Sequence, residues 1–398
     1  MTNKLWQAGA NSSLNPVVEA YTVGDDYKLD QKLLGYDIEA SKAHAQMLQS
    51  IGILTSAESK KLIAALDALH LKWSQGDFVV QPEQEDCHTA IEAYLTEQLG
   101  NIGKKIHTGR SRNDQAMVMV RLYLKDQLAQ ISAATNQLAK AFNTASTKAG
   151  DTPMPGYTHM QKAMPTTVAA WLSAYADGFT DTQQLIDATL NIIDQNPLGS
   201  AAGFGVSLPL DKDHTTKALG FAKTQDNPLY CGISRGLFEL LAVQALNPVM
   251  VLAGKFAQDM MLFTTQEFDF FSLPDSFTTG SSIMPHKHNY DLFEVMRGQA
   301  HLFGSYSQQL QSVIGGVGSG YHRDLYLSKG TTIEALETTA ATIEMLELAI
   351  SNLVIHSDKL AAAITPEMLS VDAIDQLVSK GVPFRDAYAQ IKKGLENS

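Results

Sequence analysis

Proline placement constrains this chain more than any other feature of its sequence. No proline falls between Pro82 and Pro153, or between Pro285 and Pro366. A proline inside a helix deletes a hydrogen bond and clashes with the preceding turn, so these two gaps are where helices can run long. In the first gap Val118, Leu122, Leu128, Ile131, Leu138 and Phe142 recur at helical spacing, with Lys125, Asp126, Asn136 and Lys140 off the stripe. In the second, Ile333, Leu336, Ala340, Ile343, Leu346 and Ile350 do the same. A third pattern, Leu172, Tyr175, Phe179, Ile186, Leu190 and Ile193, stops at Asn196-Pro197. Each predicts a helix of bundle length. Shorter helices fit Leu29 to Ile51 ahead of Gly52, and Ala57 to Leu71 after Thr55-Ser56. Leu237 to Phe263 is apolar on nearly every side, which predicts a helix buried all round, in a bundle centre or against other subunits, and hence an oligomer. Period-two runs of β-branched residues are nearly absent, so the expected class is all-α.

A chain of 398 residues can bury a large core without disulfides or metal staples. Its two cysteines, Cys87 and Cys231, have neither metal-ligand nor redox spacing, which fits a reducing cytoplasm. The net charge of −12 argues against a nucleic-acid partner held through phosphates, though a local basic cluster can still admit a small anion. The first residues lack a signal-peptide core, and the most apolar stretch, Leu237 to Phe256, is interrupted by Glu239, Asn247, Pro248 and Lys255, so neither export nor a membrane span is expected. Asn11-Ser12-Ser13 then reads as a chance glycosylation match.

Four polar, Gly-rich or Pro-rich segments separate the helical stretches, and loops on a rigid scaffold are where chemistry concentrates. His107 to Gln115 carries Arg110, Ser111, Arg112 and Asn113, two guanidiniums and several donors able to grip a carboxylate. The plainer reading is a polar helix start capped by Ser111 or Asn113. Pro153 to Pro165 holds Thr158 and His159; the imidazole can transfer protons near neutral pH, although a lone His is more often a surface or satisfied core residue. Pro274 to Asn289 contains Gly280-Ser281-Ser282-Ile283-Met284-Pro285-His286-Lys287-His288-Asn289, with Asp291 and Glu294 beyond. Its Gly-Ser-Ser portion can turn backbone N–H groups toward an anion, and Lys287 adds a compact charge, a pairing suited to a carboxylate-stabilised carbanion. A flexible linker is the alternative. Gly315 to Lys329 has no Gly-Lys-Ser/Thr ending and no preceding strand, so it reads as a turn that supplies Tyr321, Arg323 and Lys329 rather than as a phosphate loop. His-Glu-x-x-His and paired-Cys spacings are missing, and so is the Gly-x-Ser-x-Gly elbow of a serine hydrolase; neither a catalytic metal nor a Ser-His-acid site at Ser281 is expected.

Together these segments resemble the fumarase/aspartase superfamily. Gly280 to Asn289 is similar to the signature shared across it, and His107 to Gln115 resembles a motif of its argininosuccinate lyases. Matching stretches run from Lys4-Leu5-Trp6 through Asp37 to Ala43, Glu85 to His88 with Glu92, and Asn196 to Ala201, to Lys380 to Arg385. The resemblance implies a central long-helix bundle (107–355) between an N-terminal helical domain (1–106) and a short C-terminal one (356–398). It implies a homotetramer whose active sites draw on three subunits, and an elimination that releases fumarate and arginine from argininosuccinate in arginine biosynthesis. Ser281 would be the base, with Lys287 and Asn289 holding the developing charge, and His159 the acid or its relay, oriented by Glu294. Ser111, Arg112, Asn113 and Thr158 would bind carboxylates, and Tyr321, Arg235 and Lys329 would complete the pocket. His88 and Asp30 lie in matching segments. No metal, redox or organic cofactor is implied. Tyr290 stands where the family usually has Pro, His288 where Lys is usual, and Tyr326 where many members have a substrate-binding Gln; Ser234 and Gly236 replace acidic neighbours of Arg235. The C-terminal part is shorter than in typical members. Other readings are elimination from a different succinylated amine such as adenylosuccinate, which the Arg110 to Asn113 motif speaks against, and a non-catalytic structural homologue.

Overall fold

The computed structural model describes residues 15–396; Lys4-Leu5-Trp6 and Asn11-Ser12-Ser13 lie outside them. The described residues are predominantly helical, as the proline gaps require. In chain order the helices are α1 Pro16–Val23, α2 Asp26–Ser50, α3 Ser56–Ser74, α4 Cys87–Leu99, α5 Asn101–Lys104, α6 Arg112–Ala149 and α7 Val168–Ile193. Then follow α8 Lys212–Ala218, α9 Pro228–Ser234, α10 Leu237–Phe263, α11 Asp291–Gly315, α12 Ser328–Ser351, α13 Ser357–Ala362, α14 Ser370–Ser379 and α15 Phe384–Glu396. Their starts are written in local chemistry. Asn15, Asp86, Asp211 and Asn227 each accept a backbone N–H of the following turn. Thr55 and Glu58 form a reciprocal capping box, Thr55 Oγ1 accepting from Glu58 N at 3.2 Å and Glu58 Oε2 from Thr55 N at 2.9 Å.

The chain forms two compact units. One comprises the described residues up to Gln130, with Leu185–Leu246 and Gly304–Glu337; the other comprises Ile131–Gln184, Asn247–Phe303 and the described residues from Thr338 on. The boundaries fall within the long helices α6, α7, α10, α11 and α12. In the first unit Ala40, Val118, Leu198 and Phe221 form a buried cluster with Leu122 and Leu219 against it. The second is built on aromatic rings: Phe142 lies 5.1 Å from Phe256 edge-on, and Trp171 stacks on Phe256 at 5.4 Å and on Phe271 at 5.0 Å.

At three places the structure adds to the sequence reading. Pro153 to Pro165 is a β-hairpin rather than a loop: β1 Pro153–Thr158 pairs antiparallel with β2 Gln161–Thr167. Its prolines hid it, yet in a two-stranded ribbon each strand has a free edge on which proline costs no ladder bond. The helix α10 is not buried all round by its own chain, which leaves burial against other subunits as the expectation for its remaining face. Gln244, Val251, Lys255 and Gln258, spaced seven, four and three apart, remain exposed along one stripe. It is long and apolar enough to cross a membrane, but 61% of its most apolar window is buried inside the protein, as expected of a core helix. On α12 the stripe is buried except at Ala340.

Candidate active site

In the first unit the ends of α2, α4, α6 and α12 and the loop before α12 enclose an open cleft of about 230 Å³. Its lining includes Asp30, His88, Arg112, Asn113, Arg235, Tyr321 and Lys329. Seven residues singled out from segments up to 299 positions apart therefore meet at one place. The cleft also contains Asp26, Asp86, Arg323 and Tyr326.

Its electrostatics are paired more tightly than the sequence suggested. Lys329, expected to complete the pocket, lies with its ammonium 2.5 Å from Asp26 Oδ1 and in short contact with Asp30 Oδ1. Burial alone would depress the Lys329 pKa; the charges of Asp30 and Asp26 outweigh it and push the group up. The pair responds unequally. Burial raises Asp26 despite Lys329, whereas at Asp30 the same penalty is overcome by Lys329, His88 and the Cys87 amide, and the carboxyl is held below its ordinary range. Asp26 and Asp30 sit one turn apart on α2, a spacing visible in the sequence, but nothing there shows that a lysine 299 residues later falls between them. His88 Nδ1 is 2.7 Å from Asp37 Oδ2, which overcomes the effect of burial and raises the imidazole. Asp30, Cys87 and His88 bring ligand-type atoms within 4.8 Å of one another. Each is already engaged: Asp30 by Lys329, His88 by Asp37, and the Cys87 thiol is kept protonated by burial and by the neighbouring carboxylates.

The two arginines of the 107–115 segment part company. Arg110 turns into the interior and donates to Ser41 Oγ at 3.0 Å, while His44 Nε2 meets the Thr108 carbonyl at 2.9 Å, so α2 pins the segment from behind. Arg112 faces the cleft, bound to Glu85 at 3.2 Å, Asp86 at 3.3 Å and the Thr89 hydroxyl. The two guanidiniums thus point to different places, one into the interior and one to the cleft. Ser111 does cap α6: its Oγ accepts from Asn113 N at 3.3 Å, and its own N–H donates to Asp114 Oδ1 at 2.9 Å. Asp114 Oδ2 also accepts from Gly199 N and Ala201 N at 3.2 and 3.0 Å, fastening the 196–201 stretch behind the segment. Arg235 lies over the Tyr321 ring at 4.7 Å, and its Nη1 is buried without a hydrogen-bond partner, a donor left open for an anion. Asn113, Arg235 and Tyr321 also border a narrow apolar crevice with Met117, Phe204 and Leu229.

The second unit carries the other predicted residues. Thr158 and His159 are exposed at the tip of the β1–β2 hairpin, where Thr158 pairs with Gln161. The two turn residues, His159 at φ 53° and Met160 at φ 61°, occupy the left-handed region that two-residue hairpins demand and that Asn-Gly usually fills. Holding two side chains there costs on the order of 1 kcal/mol each, a strain typical of functional tips. Gly156 fits below the tip because a Cβ would lie 2.6 Å from the Met164 carbonyl.

The 280–288 loop is closed at its neck by Thr279 and Asn289, which exchange N–H···O bonds of 2.9 Å in both directions. Within it Ser281 Oγ accepts from Met284 N at 3.1 Å and Ile283 N at 3.4 Å. Lys287 N–H donates to Met284 O at 3.0 Å and leaves its side chain exposed. Glu294 is exposed on the first turn of α11, where Asp291 Oδ2 accepts from Thr279 Oγ1 at 2.6 Å. Tyr290 Oη accepts from Leu273 N at 3.1 Å, a bond that proline in its place could not replace. The segment is thus a closed and internally bonded loop, and the linker alternative fails.

The family described as a lyase matches residues 15–302. The argininosuccinate lyase of Xanthomonas campestris pv. campestris (strain B100) is 44% identical, with 98% of this chain and 90% of that protein covered. That of Thermotoga neapolitana is 41% identical, with 98% of each covered. Among solved structures, an EDDS lyase variant with bound fumarate aligns at TM-score 0.81 and 25% identity, covering 96% of this chain and 76% of that one. A class II fumarase from Schistosoma mansoni aligns at TM-score 0.79 and 15% identity, covering 94% and 91%, a likeness of fold.

Proposed function

This chain belongs to the argininosuccinate lyases of the fumarase/aspartase superfamily, and on that premise we propose how its own residues carry the reaction. The enzyme is a carbon–nitrogen lyase that splits argininosuccinate into arginine and fumarate. Ser281 takes the proton from Cβ of the succinyl unit. The observation that carries this assignment is the pair of amides, Ile283 N–H and Met284 N–H, already directed at Ser281 Oγ, which stabilise the deprotonated oxygen. Lys287 adds positive charge to the same loop and, with Asn289, holds the negative charge that builds on the substrate carboxylate. The electron pair then returns, the carbon–nitrogen bond breaks, and His159, oriented by Glu294, delivers a proton to the departing guanidino nitrogen. Side chains supply both proton transfers and the charge stabilisation, so no cofactor is invoked.

Arg112, Asn113, Ser111 and Thr158 bind the substrate carboxylates. Arg235, with its unpaired Nη1, and Tyr321 complete the pocket, and Lys329 shapes it through Asp30 and Asp26 rather than as a free cation. His88 fixes Asp37 behind them. We place the enzyme in arginine biosynthesis in the cytoplasm, as a homotetramer with shared sites. The exposed stripe on α10 supports an oligomer, and the three-part division at 106/107 and 355/356 follows the family.

The test is to follow fumarate absorbance after mixing the purified protein with argininosuccinate and, separately, adenylosuccinate. Fumarate from the first and none from the second is expected; none from either refutes the reading. Ser281→Ala should lower turnover at least about a hundred-fold with the oligomer intact. Substantial residual turnover would place the base elsewhere.

A further inference from the structure

We propose that Ser272, His356 and Asp269 form a second reactive site, in which Ser272 is a nucleophile toward small activated esters, independent of the elimination chemistry. The site is assembled by β3 (Phe271–Ser272) pairing antiparallel with β4 (Val354–Ile355), which brings together residues 84 positions apart. His356 N–H then donates to the Phe270 carbonyl at 2.9 Å and sets the ring beside the strand end.

The hydrogen bonds assign each group a role. His356 Nδ1 lies 2.9 Å from the Asp269 carbonyl oxygen and 3.0 Å from Asp269 Oδ1. Both partners are acceptors, so Nδ1 carries a proton, and in the neutral imidazole Nε2 then presents a lone pair. Ser272 Oγ is 2.9 Å from Nε2, so the hydroxyl donates to it. This is the order in which a nucleophile, a general base and an orienting carboxylate act together, and it is recognised by geometry rather than by sequence position. Lys359 Nζ, 3.3 Å from Asp269 Oδ2, steadies the carboxylate from the other side. Asp269 sits at φ 49°, a left-handed conformation that a side chain adopts at a cost. The residue after the nucleophile, Leu273, sends its N–H to Tyr290 Oη at 3.1 Å. A carbonyl oxygen that displaces this hydroxyl meets an amide donor next to the reacting serine. Ser272 and His356 are half-buried, so the pair is reachable and not sealed in the core.

In the reaction Ser272 Oγ bonds to the ester carbonyl carbon while its proton passes to His356 Nε2. The tetrahedral oxyanion collapses, the bond to the alcohol or phenol oxygen breaks, and that oxygen takes the proton from His356. An acyl ester remains on Ser272, and water, activated by the same imidazole, releases it as a carboxylic acid. No electrons change hands between reactants.

The experiment treats the full-length protein with p-nitrophenyl acetate and with an alkyl fluorophosphonate, then locates the adduct by peptide mass spectrometry. One adduct per chain on Ser272 is expected, together with a release of nitrophenol that Ser272→Ala abolishes while its fumarate release stays unchanged. In His356→Asn, labelling of Ser272 should slow by about a hundred-fold. No adduct on Ser272 in the unaltered protein overturns the proposal whatever the variants do. Equally fast labelling in His356→Asn also overturns it. If circular dichroism shows that His356→Asn is unfolded, Asp269→Asn takes its place with the same expectation.

Discussion

Lys329→Met isolates the charge arrangement beneath the cleft. In the native protein the Lys329 side chain is 6% exposed, Asp26 is 9% and Asp30 is 0%, so two carboxylates and one ammonium share a site nearly closed to water. Methionine fills most of the lysine's volume, so the change acts on charge rather than on packing. Removing the cation from a buried cluster leaves uncompensated carboxylates, which costs about 3–5 kcal/mol. The pH dependence follows from the shifts. In the native protein Lys329 is raised, so its contribution is fully present below the ordinary lysine pKa and fades only as pH rises through the higher folded value. Asp30 is lowered, so its contribution is present above the ordinary carboxylate range and is lost as pH falls through the folded value. In the variant burial raises both carboxyls, and the folded state then holds protons that the unfolded state releases. Its stability falls as pH rises, by up to about 1.4 kcal/mol per pH unit for each carboxyl involved. The deficit against the native protein should therefore be large at pH 8 and much smaller at pH 5. Urea unfolding followed by circular dichroism at both pH values, at one protein concentration, measures it. A deficit below about 1 kcal/mol at pH 8, or one equal at the two pH values, would refute the reasoning.

Other consequences are simpler to test. Met160→Gly relieves about 1 kcal/mol of left-handed strain at the hairpin tip against roughly 0.4–1 kcal/mol of added unfolded-chain entropy, so the urea midpoint should stay unchanged or rise slightly; a clearly lowered midpoint would mean that the Met160 side chain is itself held in a contact. Phe256→Ala removes a ring, 0% exposed, from the aromatic core of the second unit and should cost about 3–5 kcal/mol, with thermal unfolding as the check. Arg110→Ala unpins the 107–115 segment from Ser41 and should raise KM for argininosuccinate more than it lowers kcat. An unchanged KM would show that α2 does not hold the segment.

Much of this protein was legible in one dimension. Helices are local: a proline-free stretch with apolar residues every three or four positions specifies its own structure, which is why α6, α7 and α12 stand where the periodicity put them. Caps such as Thr55 with Glu58 are equally local. Dense polar segments marked the candidate residues: Arg112 and Asn113 do line the cleft of the first unit, and Ser281 and Lys287 lie in the closed loop of the second. The β1–β2 hairpin was not legible, since its prolines and glycine contradict strand propensity and only the pairing partner shows that the edges are free. Nor was the fate of each charge. Whether Arg110 grips a ligand or Ser41, whether Lys329 is free or shared by Asp26 and Asp30, and whether Ser272 meets His356 depend on residues tens to hundreds of positions away. Sequence determined which side chains are present and which segments are helical, because both are set within a few residues. Tertiary structure decided which charges are spent on the scaffold and which remain open, because electrostatics inside a protein is governed by distance and burial, and neither is a property of the chain read in order.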